Sequence, residues 1–203
     1  SNDSVTQPPS PSSQPRPTHP ALGWVGFVWG LGGVLLLLVS PIWRLALVGL
    51  EAVSMPLTWV HWLALAAWVP FMAYSEGYRG FQKGFSPRVA IRAIFLLSNP
   101  TPLRTALAPL FCIGYFDIAR RRQIAVIAVT SVVILFIVAV RLLPQPWRGL
   151  VDLGVVVGLG WGLAALLSFV HQGFKRGLDL PDALPQKADK ARNHAELPLP
   201  PGQ

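Results

Sequence analysis

The sequence predicts an all-α integral membrane protein of about four transmembrane helices, with further interfacial or re-entrant helices and disordered termini. Two observations support this fold class. The 203 residues are 52% hydrophobic and only 13% charged, with a mean hydropathy of +0.48, whereas an ordinary soluble domain is about 25% charged. Several apolar stretches also reach the roughly 20 residues that a helix needs to cross a hydrocarbon core of about 30 Å.

Both ends of the chain are polar and rich in proline. Residues 1–20 hold six prolines among Ser, Gln and Thr, and such a segment buries too little apolar surface to fold. We therefore predict a disordered tail over 1–20 and a second one over 175–203, with the membrane domain covering 21–174. The first span is expected to remain as an anchor, because no basic cluster of a signal peptide precedes it.

Four apolar stretches are predicted to span the membrane, and three amphipathic stretches are predicted to lie in its plane. The predicted spans are 21–39, 56–74, 124–140 and 150–170, and the predicted in-plane helices are 42–54, 87–97 and 102–119. Proline lacks the amide that a helix interior requires, so Ser40-Pro41 is predicted to end the first span. Ser86-Pro87 and Thr101-Pro102 each predict a helix start, with a side-chain cap followed by proline.

The basic residues are distributed unequally between the two sides of this membrane domain. With four crossings, 14 of the 17 Lys and Arg residues lie on the side of the two termini, and only Arg44, Arg141 and Arg148 lie on the other. Cytoplasmic loops are enriched in Lys and Arg, so both termini are predicted to be cytoplasmic. A rival topology makes 103–119 a fifth crossing and divides the basic loop. A bacterial inner membrane is the expected location, because no cleavable targeting signal is visible.

Few residues suggest catalysis or metal binding. His61 and His171 are predicted at opposite ends of the membrane, too far apart to share one iron. The sequence has no Cys/His cluster for zinc and no carboxylate pair spaced for acid–base work, and Cys112 is expected to be a buried small hydrophobe. No catalytic residue, metal or cofactor is therefore predicted.

The stretch 76–92 interleaves aromatic and basic residues with glycines. A positive-inside loop with glycine turns and aromatic anchors explains this pattern. The pattern also suits an anionic lipid or phosphate-bearing ligand, since each basic residue near an anionic surface contributes about 1 kcal/mol, or a docking surface for a protein. The residues predicted to bind such a ligand are Arg79, Lys83, Arg88 and Arg92.

Glycines recur at four-residue spacing in the first and last predicted spans. They are Gly26 and Gly30, then Gly154, Gly158 and Gly162. This small-xxx-small pattern lets membrane helices approach closely. We expect the two stripes to pack spans one and four together; contact with another subunit is the alternative.

The function hypothesis from sequence is a non-catalytic accessory or scaffold subunit. It would bind anionic membrane lipids, a membrane-protein partner or a second copy of itself, but no nucleic acid, because the basic residues behind the net charge of +8 flank apolar spans. One alternative is a small transporter or channel component, suggested by the proline-broken segments. Another is a lipid-acting membrane enzyme that uses Glu76, Arg79 and Lys83.

Overall fold

A computed structural model describes residues 20–176, and this part of the chain consists of helices and their connections. The helices are α1 (Pro20–Ser54), α2 (Trp59–Met72), the π segment (Ala73–Phe85), α3 (Ser86–Ser98), α4 (Pro102–Ala106), α5 (Ala108–Ile113), α6 (Arg120–Arg141) and α7 (Trp147–Arg176). The predicted disorder over 1–19 and 177–203 lies outside the described residues. Pro20 belongs to α1, and residues 175–176 belong to α7, although both were predicted to be part of the tails.

Four long helical rods make up most of the described chain. α1 and α7 are antiparallel, since a Cβ at Gly49 would meet Leu153, whereas at the other end the rings of Phe27 and Phe174 are 5.5 Å apart. α2, the π segment and α3 join without a break into one rod that runs parallel to α7. α6 is the fourth rod. The two ends of the described chain therefore lie at the same end of the bundle.

Three of these rods have the length and composition of membrane spans. They are α1, α6 and α7, so the prediction of an all-α chain with helices of transmembrane length is confirmed for residues 20–176. The predicted span 56–74 is not among them, because α2 covers only Trp59–Met72 and continues into the polar π segment. The count of four crossings stays a prediction.

The break predicted at Ser40-Pro41 is wrong. α1 continues through Pro41 to Ser54, so 42–54 is not a separate in-plane helix. Proline removes one helical hydrogen bond, but the helix beyond it is held by tertiary packing. Ala52 is fully buried there, beside the backbone of Gly149 in α7. This packing outweighs the local preference for a helix end.

The polar interruption predicted after residue 74 is a helix in the structure. It is a 13-residue π-helix, in which hydrogen bonds run from residue i to i+5. Ser86 does not cap a new helix as predicted: its backbone is helical, and its hydroxyl donates to the carbonyl of Gly162 at 3.1 Å. Residues 73–85, which the sequence predicted to contain a loop, are therefore helical because the rod packs against α7.

The predicted helix 102–119 is two short helices followed by a turn. Thr101 caps α4 as predicted, since its hydroxyl accepts a hydrogen bond from the Arg104 amide at 3.4 Å. The chain breaks at Leu107, two residues before Pro109, and α5 ends at Gly114, whose φ of 101° is left-handed. Asp117 then forms an ion pair with Arg104. The segment thus enters the bundle and returns to the end from which it came.

The core lies where α1, α3, α5 and α7 meet. Its fully buried side chains include Val34, Leu96, Phe111 and Leu166. α6 contributes little to this core, because Val140 is its only buried residue. The bundle is therefore three rods packed together with the re-entrant α4–α5 pair, and α6 lies at its side.

Candidate functional site

The π segment has one face toward α7 and one face outward. A Cβ at Gly77 would lie 2.8 Å from the Cβ of Trp161, and Phe81 packs against Gly162. Gln82, at the margin of this face, accepts a hydrogen bond from the Trp161 indole at 2.8 Å. The inward face is therefore fixed against α7 by close packing and one polar bond.

Four residues form the outward face, which we call the basic–aromatic face: Tyr74, Tyr78, Arg79 and Lys83. The rings of Tyr74 and Tyr78 stack with centroids 5.9 Å apart, and the Lys83 ammonium lies 4.7 Å from the Tyr78 ring. Tyr74 is 59% exposed, and Arg79 and Lys83 are exposed. A cation over an aromatic face is attracted by the ring quadrupole, so Tyr74, Tyr78 and Lys83 form one contacting group, and Arg79 is exposed next to Tyr78 in the chain.

This face lies beside the middle of α7. Glu76 packs against Gly158 and Phe81 packs against Gly162, and Arg79 is between Glu76 and Phe81 in the chain. Residues 153–170 of α7 carry no Asp, Glu, Lys or Arg, and Gly158 and Gly162 are near the centre of that stretch. The face is therefore level with the most apolar part of α7, and not at its end as a surface loop would be.

The structure brings together only two of the four predicted anion-binding residues. Arg79 and Lys83 share the basic–aromatic face, whereas Arg88 is partly buried and donates to the carbonyl of Gly84 at 2.7 Å. Arg92 is only 1% exposed. A shared binding surface is thus limited to Arg79 and Lys83.

Arg92 holds the re-entrant segment in place. Its Nε donates to the Phe111 carbonyl at 2.5 Å and its Nη2 to the Phe116 carbonyl at 2.8 Å, while its guanidinium lies 4.0 Å from the Phe111 ring centroid. These carbonyls and the aromatic ring solvate the guanidinium in the place of water. The sequence signal for this role was an arginine within the apolar run of α3.

The glycine stripes do not pack against each other as expected. A Cβ at Gly26 would meet Thr105 and Leu96, and one at Gly30 would meet Ala108 and Cys112. The stripe of α7 instead receives side chains of the α2–π rod: Trp68 at Gly154, Glu76 at Gly158 and Phe81 at Gly162. All five glycines are buried within the chain. α1 and α7 do meet, but through Gly49 and Gly149.

Glu76 faces away from the basic–aromatic face. Its Oε2 is buried without a hydrogen-bond partner among the described residues, next to Gly158. Arg79 and Lys83 are exposed on the other side of the π segment. The three residues of the enzyme hypothesis therefore do not converge on one pocket.

The histidines and the cysteine have local surroundings. His61 Nδ1 lies 2.8 Å from the Thr58 hydroxyl, and its ring is 4.7 Å from that of Trp147 at the start of α7, whereas His171 is exposed near the end of α7. Cys112 is fully buried, next to Gly30 of α1. Within residues 20–176, no group of three His, Cys, Asp or Glu residues is placed to hold a metal ion.

A shallow groove of about 410 Å³ adjoins the π segment on α7. Its polar lining residues are Gln82, Ser168 and Gln172, and its apolar ones include Trp161 and Phe169. The groove extends from the level of the π segment toward the end of α7. Gln82, which accepts the hydrogen bond from Trp161, is the lining residue that the π segment contributes.

Comparison with known proteins gives no relative. No protein-family model, curated protein or solved structure matches this chain.

Proposed function

We propose that this chain is a non-catalytic, multi-pass membrane subunit, an accessory or scaffold protein that binds a membrane partner or anionic lipid. The observation that supports this function best is the basic–aromatic face. Arg79 and Lys83 are exposed beside the most apolar part of α7, where lipid chains cannot solvate a charge. The charges of such a surface are solvated in the membrane only when another molecule with polar groups covers it.

The proposed topology has four crossings, with the rod 59–98 as the second. The adjacent Phe27 and Phe174 rings support termini on the same side. Arg120, Arg121 and Arg122 lie at that end, and Arg141 and Arg148 lie at the other. The positive-inside rule then favours cytoplasmic termini, and we propose a bacterial inner membrane.

The glycine stripes take a different role in this proposal. They allow the α2–π rod and the re-entrant segment to pack tightly against α7 and α1. Partner binding is therefore assigned to the basic–aromatic face and not to the stripes. In this proposal the glycines hold the helices of the chain together, and the basic–aromatic face is the surface that binds the partner.

Extraction of the native protein into nanodiscs, followed by mass spectrometry of all co-purifying molecules, tests this function. We expect a protein or an anionic lipid at fixed stoichiometry. Recovery of the chain with neither of them, under conditions that preserve known membrane complexes, would contradict the accessory-subunit function.

A small transporter or channel component is the second candidate. It is favoured by the re-entrant α4–α5 pair, since broken helices line binding sites in many transporters. Flux assays on liposomes containing the purified chain test this candidate. Retention of entrapped ions and small solutes at the rate of protein-free liposomes would exclude it.

A further inference from the structure

We propose that the basic–aromatic face binds a transmembrane helix of a different protein, and that this helix carries carboxylates that pair with Arg79 and Lys83 inside the membrane. This inference rests on the proposed function and names the chemistry of the partner. Its first support is depth. The half-thickness of a hydrocarbon core is about 15 Å, and the π segment contacts α7 at Gly158, Trp161 and Gly162, near the middle of the charge-free stretch.

Two charges at this depth require a solvating partner, and the described part of the chain provides no carboxylate for them. Within residues 20–176, no acidic side chain forms an ion pair with Arg79 or Lys83. The ring of Tyr78 faces Lys83 and stabilises it in part. Ionisable residues within membrane segments pair with one another or line a hydrated cavity. Between residues 20 and 176, the carboxylates that would pair with Arg79 and Lys83 are therefore missing.

Residues 20–176 of a second copy of this chain do not provide the missing carboxylates. The described residues include four acids. Asp117 is paired with Arg104, Asp152 is 4% exposed, and Glu76 Oε2 is buried against α7. Glu51 is exposed, but it precedes Ala52, which packs on Gly149 near the start of α7, far from the middle of that helix. None of the four is exposed at the depth of Arg79, which favours a different protein.

Anionic lipid is the weaker occupant for the same reason. The charged group of a lipid lies at the membrane surface, whereas Arg79 is level with Gly158 and Gly162 in the middle of α7. A carboxylate on a transmembrane helix is held at this depth by its own backbone. Stacked Tyr74 and Tyr78 also offer the flat aromatic surface that protein interfaces favour.

The test is photo-crosslinking of the full-length chain in its native membrane, with p-benzoylphenylalanine in place of Tyr74. Adducts are compared among the otherwise unchanged chain, the double variant Arg79→Gln/Lys83→Gln and the control Arg120→Gln/Arg121→Gln. The control removes the same charge from exposed arginines at the start of α6. We expect one protein adduct, reduced more than about tenfold only by the first double variant, with the crosslinked peptide in an apolar segment containing Asp or Glu.

Charge exchange gives the decisive confirmation. Arg79→Glu/Lys83→Glu should abolish the adduct, and Lys in place of the partner's carboxylates should restore it. A protein adduct that is insensitive to Arg79→Gln/Lys83→Gln overturns this inference and leaves the scaffold function intact. An anionic lipid lost with that variant, without a protein adduct, overturns it in favour of lipid. If neither protein nor lipid is bound, the scaffold function fails as well.

Discussion

α6 and α7 are consecutive helices, and each is long and apolar enough to cross a membrane, yet they contact the rest of the chain very differently. α7 buries Gly149, Gly154, Gly158 and Gly162 against neighbouring rods, whereas Val140 is the only buried residue of α6. Apolarity therefore indicates which segments can enter lipid. Small residues determine which of those segments are packed against protein, because they let helix backbones approach closely.

The largest effect is expected from filling the tightest glycine contact on α7. A Cβ at Gly149 would lie 2.7 Å from the backbone carbonyl of Val48, whereas one at Gly160 would meet nothing within 4 Å. Gly149→Leu should lower the free energy of unfolding in detergent by about 3 kcal/mol, because overpacking forces the backbones apart. Gly160→Leu is the control on the same helix. Equal melting temperatures for the two variants would refute the distinction between them.

The re-entrant segment is expected to depend on Arg92 nearly as strongly. Arg92→Ala leaves the buried Phe111 and Phe116 carbonyls without their charged donor, which should destabilise the segment by about 2.5 kcal/mol. Cys112 reports this change, because its thiol is fully buried in α5. Maleimide labelling at pH 8 should be very slow and should accelerate at least tenfold in the variant.

Maleimide reaches the fully buried thiol only when the α4–α5 segment opens, so the labelling rate measures that opening. Arg79→Ala, which removes an exposed cation, is the control and should not accelerate the reaction. Rapid labelling of the unsubstituted chain would show that α5 is not held against α1.

A matched pair of leucines compares α7 and α6 directly. Leu166 in α7 is 0% exposed and Leu135 in α6 is 70% exposed. Leu166→Ala should cost about 2 kcal/mol, since it leaves a cavity among protein side chains. Lipid refills the space beside Leu135, so Leu135→Ala should cost less than about 0.5 kcal/mol. Unfolding in mixed micelles measures the loss of stability in both variants. A larger loss for Leu135→Ala would mean that α6 packs against protein.

The smallest effect is expected at the cap of α4. Thr101→Ala removes the acceptor for the Arg104 amide, and loss of such a cap typically costs about 1 kcal/mol. The rate of Cys112 labelling should rise about fivefold or less. An effect as large as that of Arg92→Ala would show that the cap, and not the guanidinium, anchors the segment.

Local signals predicted one helix start and the presence of two long apolar helices. Thr101-Pro102 begins α4, and the apolar runs of α6 and α7 are helices that extend a few residues beyond 124–140 and 150–170. The signal failed at Pro41 and at Ser86, where packing on α7 sustains a helix against the local preference. Tertiary contact of this kind joins residues distant in the chain, so no local pattern contains it.

The site was only partly predictable for the same reason. The composition of 76–92 identified Arg79 and Lys83 among the candidates, but a list of residues does not separate outward from inward side chains. A π-helix rotates successive residues differently from an α-helix, and only the packing of Gly77 and Phe81 against α7 reveals which face remains exposed. Arg92 was assigned to the same set, although it is buried in the core.

The depth of the π segment is the central claim, and electron paramagnetic resonance tests it most directly. In the Cys112→Ala background, nitroxides are placed at Gly80→Cys in the π segment, at Gly160→Cys in the middle of α7 and at Arg121→Cys at the start of α6, all in nanodiscs. Oxygen and a water-soluble nickel complex then report lipid and water exposure. The structure predicts that position 80 matches position 160. A match with position 121 would contradict it and return residues 75–88 to the membrane surface.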